Sequence, residues 1–135
     1  MTPIDCLRQR FEAHRRSDYA AIYATYHPDA PFLQQFPDLD YYADFARENL
    51  SSIQMMSWQC IMERRLDPQQ SECIQILEFD QCGVHCRMAE LALLVLTAQG
   101  WLFHSAQKLD PDALSVPLAL VDFSHFDDAV DKVRF

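Results

Sequence analysis

A chain of 135 residues and 15.7 kDa, half apolar and 23% charged, suits one domain around a single core and excludes a disordered or fibrous protein. Twenty acidic against 11 basic residues leave a net charge of −9, which argues against a phosphate backbone, so no nucleic-acid partner is expected. The two glycines, Gly83 and Gly100, stand far apart, so the glycine-rich phosphate cradles are absent and no cofactor is expected.

The opening residues, Met1 to Cys6, lack a basic stretch followed by an apolar run, so no secretory signal is read. The longest apolar stretch, Leu91 to Leu96, is far shorter than a membrane span. Cys6, Cys60, Cys73, Cys82 and Cys86 are an odd set and read as free thiols, which places the protein in a reducing, bacterial cytoplasm. Thr2-Pro3-Ile4-Asp5 is a capping box opening a helix with Ile4, Leu7 and Phe11 on its inner face. Ser17-Asp18 stops that helix and caps a second, Tyr19 to Tyr26, which ends before His27-Pro28. Residues 29–37 carry Pro31 and Pro37 and read as loop; a third helix, Leu39 to Leu50, turns Tyr42, Phe45 and Ala46 inward.

From Ile53 the hydrophobic period becomes that of strands: Met55 to Leu66, Glu72 to Asp80, His85 to Ala98 and Trp101 to Leu109, an antiparallel meander. With Cys82-Gly83 at the centre of a hairpin, Phe79 pairs with Cys86, Leu77 with Met88, Gln75 with Glu90, Glu78 with Arg87 and Asp80 with His85. With Gln99-Gly100 closing the next, Leu96 faces Phe103, Leu94 faces Ser105 and Val95 faces His104. In the tail, Leu114 to Val121 reads as an added edge strand. Ser124 and Asp127 read as a capping box for a short helix with Ala129, Val130 and Val133 on one side. The class is α+β, three N-terminal helices packed on a curved sheet.

Helices followed by a meander resemble the nuclear transport factor 2-like fold, a cone of bent antiparallel sheet closed by helices around a pocket. Leu7-Arg8-Gln9-Arg10-Phe11-Glu12-Ala13, Asp18-Tyr19 and Ala24-Thr25-Tyr26-His27-Pro28 resemble the opening of YchJ-like domains of that superfamily, and Ala89-Glu90-Leu91 and Gly100-Trp101-Leu102-Phe103 resemble its later strands. The resemblance implies a domain over residues 1–109, with 110–135 as a C-terminal extension packed on it. YchJ-like proteins also carry flanking Cys-rich zinc motifs, and no Cys-Pro-Cys-Gly run stands at either end here.

Glu90 is the candidate catalytic residue, because a carboxylate inside an apolar strand is costly unless bonded or protonated, and a raised pKa suits a general acid or base. The competing reading is a structural Glu90–Gln75 hydrogen bond, extended to an N-terminal arginine. Tyr26, Tyr42, Trp58, Gln75, Glu90 and Phe103 are the candidates to line a pocket for a small apolar ligand. Cys82, His85 and Cys86 have metal-ligand chemistry, but a zinc site needs four ligands and one cluster is visible, so no metal is expected. His27 reads as a tether at a helix end and His104 as packing beside Val95 at the rim. The face with Ile74, Ile76, Leu91, Leu93, Val95 and Leu102 is too apolar to be left in water, which predicts a homodimer unless the tail covers it. The reading is a non-catalytic module that binds a small apolar ligand or a protein partner. The alternative is an isomerase, cyclase or hydrolase of the same fold, akin to ketosteroid isomerase or SnoaL-like cyclases, with Glu90 as acid or base.

Overall fold

A computed structural model describes residues 1–129 and 135. Its elements are α1 (Pro3–Arg15), α2 (Tyr19–Ala24), α3 (Leu39–Asn49), β1 (Ile53–Asp67), β2 (Gln70–Gln81), β3 (Val84–Thr97), β4 (Gly100–Leu109) and α4 (Phe123–Asp127). The strands form one antiparallel sheet in the order β1-β2-β3-β4, with α1 laid across its inner face and α2 and α3 stacked beyond α1. The class is α+β and the architecture is a bent sheet closed by helices.

Local chemistry sets the helix ends. Thr2 Oγ1 accepts from the Asp5 amide at 3.1 Å while Asp5 accepts from the Thr2 amide at 2.9 Å, with Pro3 at the first helical position. Ser17, at φ 54°, breaks the chain direction, and Asp18 caps α2 by accepting from the Ala21 amide at 3.1 Å. The second helix stops at Ala24, two residues before the expected Tyr26. Thr25 O accepts from the Phe103 amide at 2.8 Å and the His27 amide donates to Phe103 O at 2.7 Å, so this segment satisfies the open edge of β4 instead of continuing the helix. Within the expected loop, Pro31–Gln35 winds into a 3₁₀ helix.

The β2–β3 register pairs Phe79 with Cys86, Leu77 with Met88, Gln75 with Glu90, Glu78 with Arg87 and Asp80 with His85, in agreement with the sequence reading. Cys82 and Gly83, at φ 52° and 82°, form the tight turn whose twist matches the flanking strands. The β3–β4 register differs. Thr97 pairs with Gly100, so the turn is centred one residue earlier, where the Thr97 hydroxyl accepts from the Gln99 amide at 3.1 Å. Leu96 therefore faces Trp101, Val95 faces Leu102 and Leu94 faces Phe103. The register then shifts so that Leu93 faces Ser105, leaving His104 as an extra residue. That bulge turns Ala106 and Lys108 to the inner face and sets Lys108 opposite Glu90. Three further shifts along β1, at Met55/Ser57, Cys60/Met62 and Arg65/Asp67, curl the sheet.

The tail lies on the outer face. Leu118, Val121 and Phe126 form one buried core with Ile74, Ile76, Ala89 and Leu91, so the chain itself covers this part of the apolar face. Leu93, Val95 and Leu102 beyond it are half-buried. Residues 114–121 do not add an edge strand. Two 3₁₀ turns, Pro111–Ala113 and Leu118–Leu120, fold them across the sheet, and Pro117 has no amide to donate to a ladder. Asp122 and His125, in place of Ser124 and Asp127, form the capping box of α4, and Val130 and Val133 lie outside the described residues. Arg64 holds this helix: its guanidinium donates to Asp127 at 2.8 and 2.9 Å and to the buried Glu72 at 2.9 Å, 4.2 Å from the Phe123 ring.

Apolar burial outweighs that ion pair. Phe126 is fully buried, so Phe126→Ala should destabilise by about 3 kcal/mol or more in urea unfolding. Asp127→Asn, at the half-exposed end of the pair, should lose under about 1 kcal/mol. The opposite order would show that charge pairing holds the tail.

Candidate functional site

The helices and the inner face of the sheet enclose a cavity of about 410 Å³. Its wall is mostly aliphatic and aromatic, and no Ser, Thr or Cys among the described residues lines it. Exposed Lys108 and Phe135, with the ammonium 4.9 Å from the ring, border one side.

Glu90 lies on the cavity wall, 9% exposed. The Gln75 side-chain amide donates to Glu90 Oε2 at 2.9 Å, and Gln75 Oε1 accepts from Trp58 Nε1 at 2.7 Å. Lys108 Nζ is 4.0 Å from Glu90 Oε1. One polar chain thus crosses all four strands, and no buried side-chain nitrogen or oxygen among the described residues lacks a partner. The Glu90 carboxylate is a hydrogen-bonded part of the cavity wall.

Arg10 enters from α1, its guanidinium carbon 4.3 Å from the Tyr26 ring centre and 3.9 Å from that of Phe103, donating to Thr25 Oγ1 at 2.9 Å and to the Tyr26 hydroxyl at 3.2 Å. Burial opposes its charge, but Tyr26, Tyr42 and Glu90 outweigh burial, and its pKa lies above the ordinary value. His14, one turn along α1, is pushed down to about 3 by burial and then by the Arg10 cation, so it lines the cavity as a neutral imidazole. Burial raises the Tyr42 phenol above its ordinary value, with Tyr26 adding to the effect.

Of the residues the sequence singles out, Tyr26, Tyr42, Gln75, Glu90 and Phe103 line the cavity. Trp58 does not. It stands behind Gln75 and stacks with Phe11 at 6.4 Å, because the β1 bulges turn it toward α1. Cys82, His85 and Cys86 do not converge. Cys82 is exposed at the turn, Cys86 pairs with Phe79 along the face that carries Leu77, and His85 turns to the other, 3.4 Å from Glu78 and 3.5 Å from Asp80. Among the described residues no group of three or more His, Cys, Asp or Glu could hold a metal. His27 and His104 meet each other, ring centres 5.7 Å apart, on the edge of β4 and not in the cavity. Sequence reading expected an N-terminal arginine to extend the Glu90–Gln75 bond, whereas Arg10 donates to Thr25 and Tyr26; it missed His14 and Lys108. The helical period through Ile4, Leu7 and Phe11 continues to His14 and could have found it; Lys108 faces inward only through the His104 bulge.

No family model and no curated protein matches the chain. Solved structures do. A ketosteroid isomerase-like protein from Erwinia carotovora atroseptica matches with a TM-score of 0.55 at 20% identity, over 74% of this chain and 86% of that one. A domain of unknown function with a cystatin-like fold from Nostoc punctiforme matches at 0.61 and 12%, over 93% and 83%. An NTF-2-like protein of unknown function from Shewanella oneidensis matches at 0.56 and 12%, over 79% and 95%. The fold is that of nuclear transport factor 2-like proteins. Among the described residues, no helix is long and apolar enough to cross a membrane.

The depressed His14 pKa makes a pH prediction. The unfolded imidazole takes up a proton near its ordinary 6.5 and the folded one near 3, so this contribution to stability is complete above about 6.5 and is lost as pH falls toward 3. His14→Leu should lose less stability than the parent across that window in paired urea titrations. Equal losses would show that His14 charges freely in the folded protein.

Proposed function

We propose that the chain is a non-catalytic small-molecule-binding protein, and that its cavity takes a largely apolar ligand with one polar group turned toward Arg10. The observation that carries this reading is the state of the wall. A volume of about 410 Å³ is in the range of ligand sites, and its two central charged groups are held by hydrogen bonds to neighbouring side chains, Glu90 by Gln75 and Arg10 by Thr25 and Tyr26. A general acid or base needs a partner group poised to hold the reacting atom, and neutral His14 and the un-ionised Tyr42 supply shape and weak polarity instead. The YchJ-like reading draws support from the same place. Arg10, Phe11, Tyr19 and Tyr26 of the opening motif lie on the cavity wall, and Thr25 holds Arg10.

One observation favours the catalytic alternative. Glu90 Oε1 is 4.0 Å from Lys108, longer than a hydrogen bond, so it presents an acceptor at the wall of the cavity.

Binding of the fluorescent apolar anion anilinonaphthalene sulfonate, followed by displacement with an apolar compound library, separates these readings. The folded protein should bind the probe, and Met88→Trp, which fills the cavity from β3, should abolish binding without unfolding the chain. Glu90→Gln should keep ligand affinity and stay within about 1 kcal/mol of the parent in stability, since a side-chain hydrogen bond to Gln75 survives. A displacing compound that is chemically converted by the parent and not by Glu90→Gln would establish the enzyme. A chain that binds neither probe nor library would overturn the binding reading.

A further inference from the structure

Three of the five cysteines gather where α1 lies on β1 and β2. Cys6 and Cys73 share a buried core with Leu7, Leu94 and Trp101, and half-buried Cys60 packs against it. The register shift between Cys60 and Met62 creates the arrangement. On a regular strand Cys60 and Glu63 would face opposite sides of the sheet. Here Ile61 is the extra residue and joins the outer core, so Cys60 and Glu63 both stand on the inner side with Cys73. Glu63 Oε2 accepts from the Cys73 thiol at 3.5 Å, the Cys60 thiol donates to Met62 O at 3.6 Å, and Cys60 lies diagonally across the β1–β2 ladder from Cys73 on the same face.

The two thiols are not equivalent. Cys73 is 0% exposed, whereas Cys60 is reachable from solvent. The neighbouring Cys73 thiol lowers the Cys60 pKa against the opposing effect of burial, while the proximity of Cys60 and burial raise that of Cys73. An accessible thiol beside a buried thiol that already points at a carboxylate is the arrangement of an attacking and a resolving cysteine.

We infer that Cys60 and Cys73 are a thiol–disulfide exchange pair: Cys60 attacks a low-molecular-weight disulfide, and Cys73, with Glu63 as its base, closes an intramolecular bond. In the first step the Cys60 sulfur, having released its proton to solvent, attacks the disulfide RSSR. The S–S bond breaks, a Cys60–S–SR bond forms, and RS⁻ leaves and takes up a proton. In the second, Cys73 passes its proton to Glu63 and attacks the Cys60 sulfur. The mixed disulfide breaks, the Cys60–Cys73 bond forms, and the second RS⁻ leaves with the proton held by Glu63. Two protein thiols lose two electrons, and one RSSR becomes two RSH. The new bond would tie β1 to β2 beside Gln75, which stands directly across from Cys60 and supports Glu90, so oxidation would stiffen the cavity wall.

The test uses the full chain carrying Cys82→Ser and Cys86→Ser, so that the hairpin thiols do not react. The folded protein is incubated with oxidised glutathione, remaining thiols are alkylated, and peptides are mapped without reduction. The expected product is a Cys60–Cys73 cross-link with Cys6 still alkylatable. Cys73→Ala should halt at a lasting glutathione adduct on Cys60. Cys60→Ala, at a position only half-buried, should leave Cys73 unreacted. Glu63→Gln should leave adduct formation unchanged and slow its conversion to the cross-link by about tenfold or more. A Cys60 that keeps its thiol in the folded chain, or an adduct that persists beside an intact Cys73, would overturn the inference.

Discussion

A carboxylate on the inner face of a small sheet must be supplied with hydrogen bonds and positive charge, or it protonates or unfolds its surroundings. Glu90 is that group, and its requirements organise the molecule around it. Gln75 reaches it from β2, Lys108 from β4 and, through Gln75, Trp58 from β1, while Arg10 adds positive charge from α1. The Gln75–Glu90 and Glu90–Lys108 contacts therefore both shape the cavity wall and hold this carboxylate. A one-residue slip between β2 and β3 would turn Gln75 away and bury Glu90 against apolar atoms.

Bulges decide where these partners point. The His104 bulge in β4 inverts the faces beyond it, bringing Lys108 inward beside Glu90 and leaving Ser105 and Gln107 beneath the tail, where the Gln107 amide donates to Phe126 O at 3.0 Å. The shifts in β1 curl the edge strand, which turns Trp58 inward against α1 and groups Cys60, Cys73 and Glu63. The cavity and the thiol pair are thus two outcomes of one device, an extra residue in a strand that re-aims its neighbours. The sheet faces different partners on its two sides: helices and a cavity within, the chain's own tail without.

Much of this was legible in the residues, and the parts that were not share a cause. Helix caps at Thr2 and Asp18 and the turn at Cys82-Gly83 are encoded locally, so α1, the start of α2 and the β2–β3 register follow from short-range chemistry. Glu90 and Gln75 inherit their pairing from that register. A bulge leaves no trace in a two-residue period, so the inward turns of Lys108 and Trp58 and the grouping of Cys60 with Glu63 could not be read from alternation. The tail failed differently. Leu114 to Val121 is apolar enough for a strand, but the exposed edge of β4 was already taken by residues 25–27 and 135, and an apolar outer face was waiting to be covered. Tertiary demand overrode local propensity there.

A double-mutant cycle on Gln75 and Glu90 tests the central claim most directly. Gln75→Leu, Glu90→Leu and the double variant would be unfolded in urea beside the parent. If the cross-strand bond organises the inner face, each single change strands the other polar group in an apolar wall, and the double variant loses about 1 kcal/mol or more less than the two losses summed. Losses that add to within about 0.5 kcal/mol would contradict the account, because Glu90 would then be held by the fold instead of holding it.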